Sequence, residues 1–173
     1  MNPSSPASHG RSALGAVLPA RRMLTLALAT LALGLAAGLV WLWLADPSQW
    51  QVSDRGILLT EAASRGQFQV VVMFVLVGLV VSLAAGWGIV QLLPDAGWLV
   101  VPVTIVATVL AALIAWRIGV DLGPPSPASV RDVQPGDTLP SRLAVDSVAP
   151  FLVWPIFGLL GVIGATWGAD RRA

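Results

Sequence analysis

Asp121, Asp132, Asp137 and Asp146 share one polar stretch between two apolar runs, and they are the densest set of groups in the chain that could move protons. Carboxylates gathered at one place can act as general acid and base. The plainer reading of four aspartates in a proline-rich polar loop is that each is solvated. Little else in the chain supports catalysis. There is no cysteine, no lysine and no tyrosine, and the lone His9 lies in a Ser/Pro-rich amino-terminal stretch whose composition reads as disordered. Those absences remove thiol chemistry, disulfides, lysine nucleophiles, histidine-based metal sites and a serine triad. No Gly-rich phosphate loop, EF-hand spacing or basic nucleic-acid patch occurs, so neither a cofactor nor a nucleic-acid partner is expected.

One further pair has the spacing for direct contact. Arg117 and Asp121 stand four residues apart, Arg117 near the end of an apolar run and Asp121 just beyond it. Ionisable groups inside membrane segments tend to mark ion or proton paths, which makes the pair a functional candidate. Its simpler account is an arginine reaching toward the membrane boundary with a carboxylate on the same helical face, a contact of a few tenths of a kcal/mol.

The elements that would carry these groups are set by hydropathy. The chain has 173 residues, 56% of them hydrophobic and 11% charged, with a mean hydropathy of +0.80. Such a balance belongs to the membrane class. About 20 apolar residues cross a hydrocarbon layer of about 30 Å as a helix, and four runs meet that length: Met23 to Ala45, Gln67 to Leu93, Trp98 to Val120 and Val148 to Gly168. The fold expected is all-α, a polytopic four-transmembrane-helix bundle with two short extracytoplasmic loops, preceded by a disordered tail over 1–22 and followed by a short tail over 169–173. A secretory signal at the first run is disfavoured, because an apolar signal core spans roughly 7 to 15 residues whereas this run continues to Trp41-Leu-Trp-Leu44.

Four crossings put both termini on one side. That side holds Arg11, Arg21, Arg22, Arg171 and Arg172 against Asp95 and Asp170, a net charge of +3; the two loops on the other side carry −3, and Arg117 restores the total of +1. By count of basic residues alone the sides are close. The arginine pairs at the span ends decide, since positive residues flanking the first helix usually set orientation. Both termini are therefore expected in the cytoplasm. Tryptophan favours the membrane boundary; Trp41, Trp43, Trp50, Trp116 and Trp154 are expected in an outer belt, and Trp87, Trp98 and Trp167 in an inner one, the alternative for each being packing against neighbouring helices.

Small residues recur at helical spacing. Gly34 and Gly38 form a GxxxG pair, Gly78, Ser82 and Gly86 continue the rhythm, and Ala107, Ala111, Ala115 and Gly119 repeat it. In the last run Gly161 and Ala165 make one stripe and Gly158, Gly164 and Gly168 another. Small stripes let backbones approach in lipid, and the reading adopted is that they join the four helices into one bundle rather than form a dimer face. Pro102 and Pro150 fall in early helical turns, where proline is tolerated; Pro155 lies deeper and could kink its helix.

The loops are the segments large enough to hold specificity. Trp50 to Thr60 reads as a short hairpin with Gly56 in the left-handed position, and Glu61 and Arg65 stand in a favourable order if the second helix starts early. The second loop, Asp121 to Ser147, is expected to be largely extended, with a turn at Pro135-Gly136-Asp137.

Several stretches resemble a family of uncharacterised actinobacterial four-helix membrane proteins, a domain of unknown function. They are the Trp/Leu-rich end of the first run with Gly56-Ile-Leu-Leu59 and Glu61 after it, Ala115-Trp-Arg-Ile-Gly119 running into Leu122-Gly-Pro-Pro125, and Leu143-Ala-Val leading to Leu152-Val-Trp-Pro155. The resemblance covers about residues 20 to 170 and departs at Gln67, where an acidic residue is expected. It implies a four-span plan and a bacterial plasma-membrane address, with no activity attached. The functional expectation is a non-catalytic accessory or scaffold subunit of a cell-envelope complex, in contact with lipid and with a membrane-protein partner or further copies of itself. The alternatives are a small transporter or channel component lined by Ser82, Gln91, Thr104, Thr108 and Thr166, and a membrane-embedded enzyme using the loop aspartates.

Overall fold

With no water in the hydrocarbon layer, a spanning backbone must satisfy its own hydrogen bonds, and the helix does so within one segment. The computed structural model describes residues 19–45, 49–53, 56–58, 61–124, 138–140, 143 and 145–171. Helix α1 spans Ala20–Leu44, strands β1 and β2 span Gln49–Ser53 and Gly56–Leu58, and α2 spans Glu61–Leu92. A 3-10 turn over Gly97–Leu99 leads into α3, Val100–Leu122; strand β3, Thr138–Pro140, precedes α4, Ala149–Asp170. All four helices are long and apolar enough to cross a membrane, so the chain is an all-α, multi-pass membrane protein.

Helix limits follow local chemistry. Helix α2 begins at Glu61, six residues ahead of the apolar run, so Glu61 and Arg65 are both helical. It ends before Pro94, and the connection to α3 turns at Gly97, whose φ of 54° is open to glycine at little steric cost. Pro150 occupies the first turn of α4, and the helix continues without a break through Pro155.

The helices do not pack in chain order. Helix α1 lies mainly against α3 and α2 mainly against α4, while α3–α4 and α1–α2 contacts close the ring. Each principal pair joins helices of the same direction, because one crossing separates its members. The two loops meet beyond the bundle. Strand β1 pairs antiparallel with β2, Val52 opposite Ile57 and Ser53 opposite Gly56, and on its other edge with β3, Trp50 opposite Leu139. The expected hairpin is therefore present, but Gly56 is the first paired residue of β2 and not the turn residue. The pairing of β1 with β3 is a feature the sequence reading did not anticipate, and it holds both loops at the same end of the bundle. The expected turn at Pro135 to Asp137 lies outside the described residues, as do Asp132 and Asp137. At the opposite end, Arg22 meets Asp95 of the α2–α3 connection, Nη1 to Oδ2 3.6 Å.

Candidate functional site

Every helix contributes an aromatic ring to the half of the bundle nearest the sheet. Phe74 of α2 is at the centre, with ring centroids 5.0 Å from Trp41 of α1 and 5.2 and 5.5 Å from Phe151 and Trp154 of α4. Trp116 of α3 stands edge-on to Phe151 at 6.2 Å. Trp41, Phe74 and Trp154 are fully buried. Glycine makes the room: a Cβ on Gly119 would collide with the Trp41 ring, and one on Gly78 with the indole of Trp154. The Trp41 indole N–H donates to the Val70 carbonyl across the α1–α2 seam at 2.9 Å.

This arrangement corrects the outer tryptophan belt. Trp41 and Trp154 are core residues and Trp116 is half-buried against that core, because a glycine notch with aromatic neighbours offers full burial of a large ring, more than a half-wet boundary position can. Trp43, Trp87, Trp98 and Trp167 are exposed, and the Arg171 guanidinium lies 4.7 Å from the Trp167 ring centre. The side chain of Trp50 lies outside the described residues.

Below the aromatic cluster the packing is carried by small residues. A Cβ on Gly34 would stand 2.8 Å from Ile114 Cβ, and one on Gly38 would stand 2.8 Å from Ile118 Cβ and 2.9 Å from the Ala115 carbonyl. These two glycines therefore set the approach of α1 to α3. On the other pair, Gly86 faces the Gly158 carbonyl and Gly161 the Leu83 carbonyl, while Ser82 and Ala165 are buried. Gly164 and Gly168 have open space where a Cβ would stand, so the second α4 stripe is divided: Gly158 turns inward and the other two outward.

Polar groups in the spans are partly satisfied by their own helices. Thr104 Oγ1 donates to the Val100 carbonyl at 2.8 Å and Thr108 Oγ1 to the Thr104 carbonyl at 2.7 Å, back-bonding that is common for threonine in a helix. Their methyl groups face Gly158, whose added Cβ would fall 2.7 Å from Thr108 Cγ2. Ser82 Oγ and the indole nitrogens of Trp116 and Trp154 are buried with no hydrogen-bond partner. Gln91 and Thr166 are exposed, and Thr166 bonds the Ile163 carbonyl at 2.9 Å. Ser82, Thr104 and Thr108 thus lie inside the bundle while Gln91 and Thr166 lie on its surface, and the five do not line one path within a single chain.

Arg117 Nε and Asp121 Oδ2 are 3.2 Å apart, with side chains 67% and 52% exposed. Such a pair stabilises by a few tenths of a kcal/mol. Asp146 is exposed. Among the described residues no three or more His, Cys, Asp or Glu side chains gather as a metal would require.

Several concavities of similar size are lined mainly by apolar side chains, and one of about 480 Å³ between α3 and the start of α4 includes Asp146 and Ser147 in its lining. One of about 470 Å³ runs between α1 and α3 toward the terminal end, from Met23 and Pro102 to Ile114. Another of about 430 Å³ lies between α1 and α2 near the sheet, between Val40 and Leu76. Helix α1 buries Gly34, Ala37, Gly38 and Trp41, packs Leu26 and Leu42 partly against the core, and turns most of its other residues outward or into these grooves. Comparison of the chain with family models, with curated proteins and with solved structures finds no match.

Proposed function

We propose that the protein is a non-catalytic accessory or scaffold subunit of a cell-envelope complex, in the bacterial plasma membrane that the resemblance to the actinobacterial family implies, with both termini cytoplasmic as the arginine pairs at the span ends favour. The observation that carries this reading is the treatment of α1. Of its membrane window 17% is buried, against 33% for α3 and for α4, and apolar grooves border it on two sides. In lipid a helix gains little from hiding apolar surface as such, so association depends on shape and close packing. A helix seated by a narrow glycine stripe, with an apolar groove beside α2 near the sheet, offers another spanning helix something to fit.

The test is affinity purification of the tagged protein from its native membrane in mild detergent, followed by mass spectrometry. A reproducible stoichiometric partner supports the reading, and isolated protein under several detergents overturns it. A small transport component is the second reading, favoured by the fully buried Ser82 hydroxyl without a partner, a group that a polar solute or water could engage. A clean homo-oligomer together with solute flux in liposomes would select it.

A further inference from the structure

We propose that the groove between α1 and α3 at the terminal end of the bundle holds one acyl chain of an anionic phospholipid, whose phosphate is held at Arg21 and Arg22. The inference does not depend on the accessory reading above. The wall is built mainly from apolar residues, Met23, Ala27 and Leu31 of α1 and Pro102, Val106 and Leu110 of α3, with Thr30 the polar side chain among them. It ends at Ile114, against which Gly34 brings the two helices together and closes the groove. From Pro102 to Ile114 a helix rises about 18 Å, close to the roughly 15 Å of one leaflet's hydrocarbon. The groove therefore begins at the membrane boundary and stops near the midplane, the reach of one chain of a lipid and not of a spanning helix.

The mouth supplies the head-group chemistry. Arg21 and Arg22 occupy the turn of α1 directly before Met23, and both are exposed. The first turn of α1 has no acidic residue and no side-chain cap, so the positive end of the helix dipole adds to the two guanidinium groups. Among the described side chains Asp95 is the carboxylate that opposes them. It is exposed and 3.6 Å from Arg22, a solvated contact that leaves the mouth at a formal +1 from these three side chains. Basic residues at such a boundary between helices favour anionic head groups, and a guanidinium matches a phosphate in bidentate geometry.

The experiment is native mass spectrometry of the full chain released from nanodiscs of equal phosphatidylethanolamine and phosphatidylglycerol. The expected result is one retained lipid per chain, with phosphatidylglycerol preferred by at least about fivefold, the ratio that one interfacial arginine supplies. Arg21→Gln with Arg22→Gln removes the preference. Asp95→Asn raises it, because the competing carboxylate is gone. Ala27→Phe fills the groove and lowers retention of both lipids, while Ala32→Phe, on α1 outside the groove, changes nothing. Retention of the native preference by the double arginine variant overturns the proposal. So does loss of preference in Asp95→Asn, which would mean that the arginines merely hold the α2–α3 connection. A lipid-free dimer would overturn it too, by giving the groove to a second copy.

Discussion

Gly86 and Gly88 sit two residues apart on α2 and face opposite requirements. A Cβ at Gly86 would fall on the Gly158 carbonyl, whereas one at Gly88 would meet nothing within 4 Å. Gly86→Ala is expected to destabilise the bundle by about 1 to 3 kcal/mol, since backbone cannot move aside as a flexible side chain can. Gly88→Ala should be neutral or stabilising by up to about 1 kcal/mol, as alanine is the better helix former. Unfolding in mixed micelles of rising SDS fraction measures both. The tryptophans permit a similar contrast. Trp41→Phe removes a buried hydrogen bond to Val70, while Trp154 donates to nothing. Trp41→Phe should therefore cost about 1 kcal/mol more than Trp154→Phe, and equal losses in the same assay would refute the role given to that bond. At this scale the inward positions of Gly34, Gly38, Gly78 and Gly86 follow from small residues at four-residue spacing, which have a meaning in lipid, whereas Gly164 and Gly168 share the spacing and point outward. The partners were not legible. Nothing in the linear order tells that Gly119 receives Trp41 or that Gly78 receives Trp154, and for that reason two core rings were expected in a boundary belt.

Between elements, the question is which small stripes join helices within the chain. Gly34 and Gly38 lie against α3, and Gly164 and Gly168 point to open space. Gly34→Leu with Gly38→Leu is expected to force α1 from α3 and abolish a stable fold in detergent. Gly164→Leu with Gly168→Leu should change stability by less than about 0.5 kcal/mol, as outward substitutions usually do, and should leave the mass of the detergent-solubilised particle unchanged. A fall in that mass would reveal that the outward stripe joins copies. The helices themselves were readable from hydropathy to within a few residues at both ends of α1, α3 and α4. Helix α2 was not, because Glu61 to Gly66 extend it as a polar helix beyond any apolar signal. Strand β3 escaped for a different reason. Three residues, the last of them Pro140, have too little pattern to announce a strand, and their partner β1 lies across two spanning helices in the chain.

For the molecule as a whole, two contacts divide the ends. The sheet binds the α1–α2 loop to the segment before α4, and the Arg22–Asp95 pair binds the start of α1 to the α2–α3 connection. The first pulls residues 49–53 and 138–140 to one end; the second holds residues 22 and 95 at the other. Paired arginines flank the second end and net negative charge the first, so a membrane that retains basic residues on its cytoplasmic face should hold the termini inside. The absence of cysteine makes the test clean, because any thiol introduced is the sole one. A membrane-impermeant maleimide applied to intact cells is expected to label Ser129→Cys and to spare Ser5→Cys until the membrane is opened. The reverse pattern would invert the whole bundle. It would also move the α1–α3 groove and its arginines to the outer leaflet, where the same lipid preference would persist in nanodiscs, so the threading and the lipid site stand or fall by separate measurements.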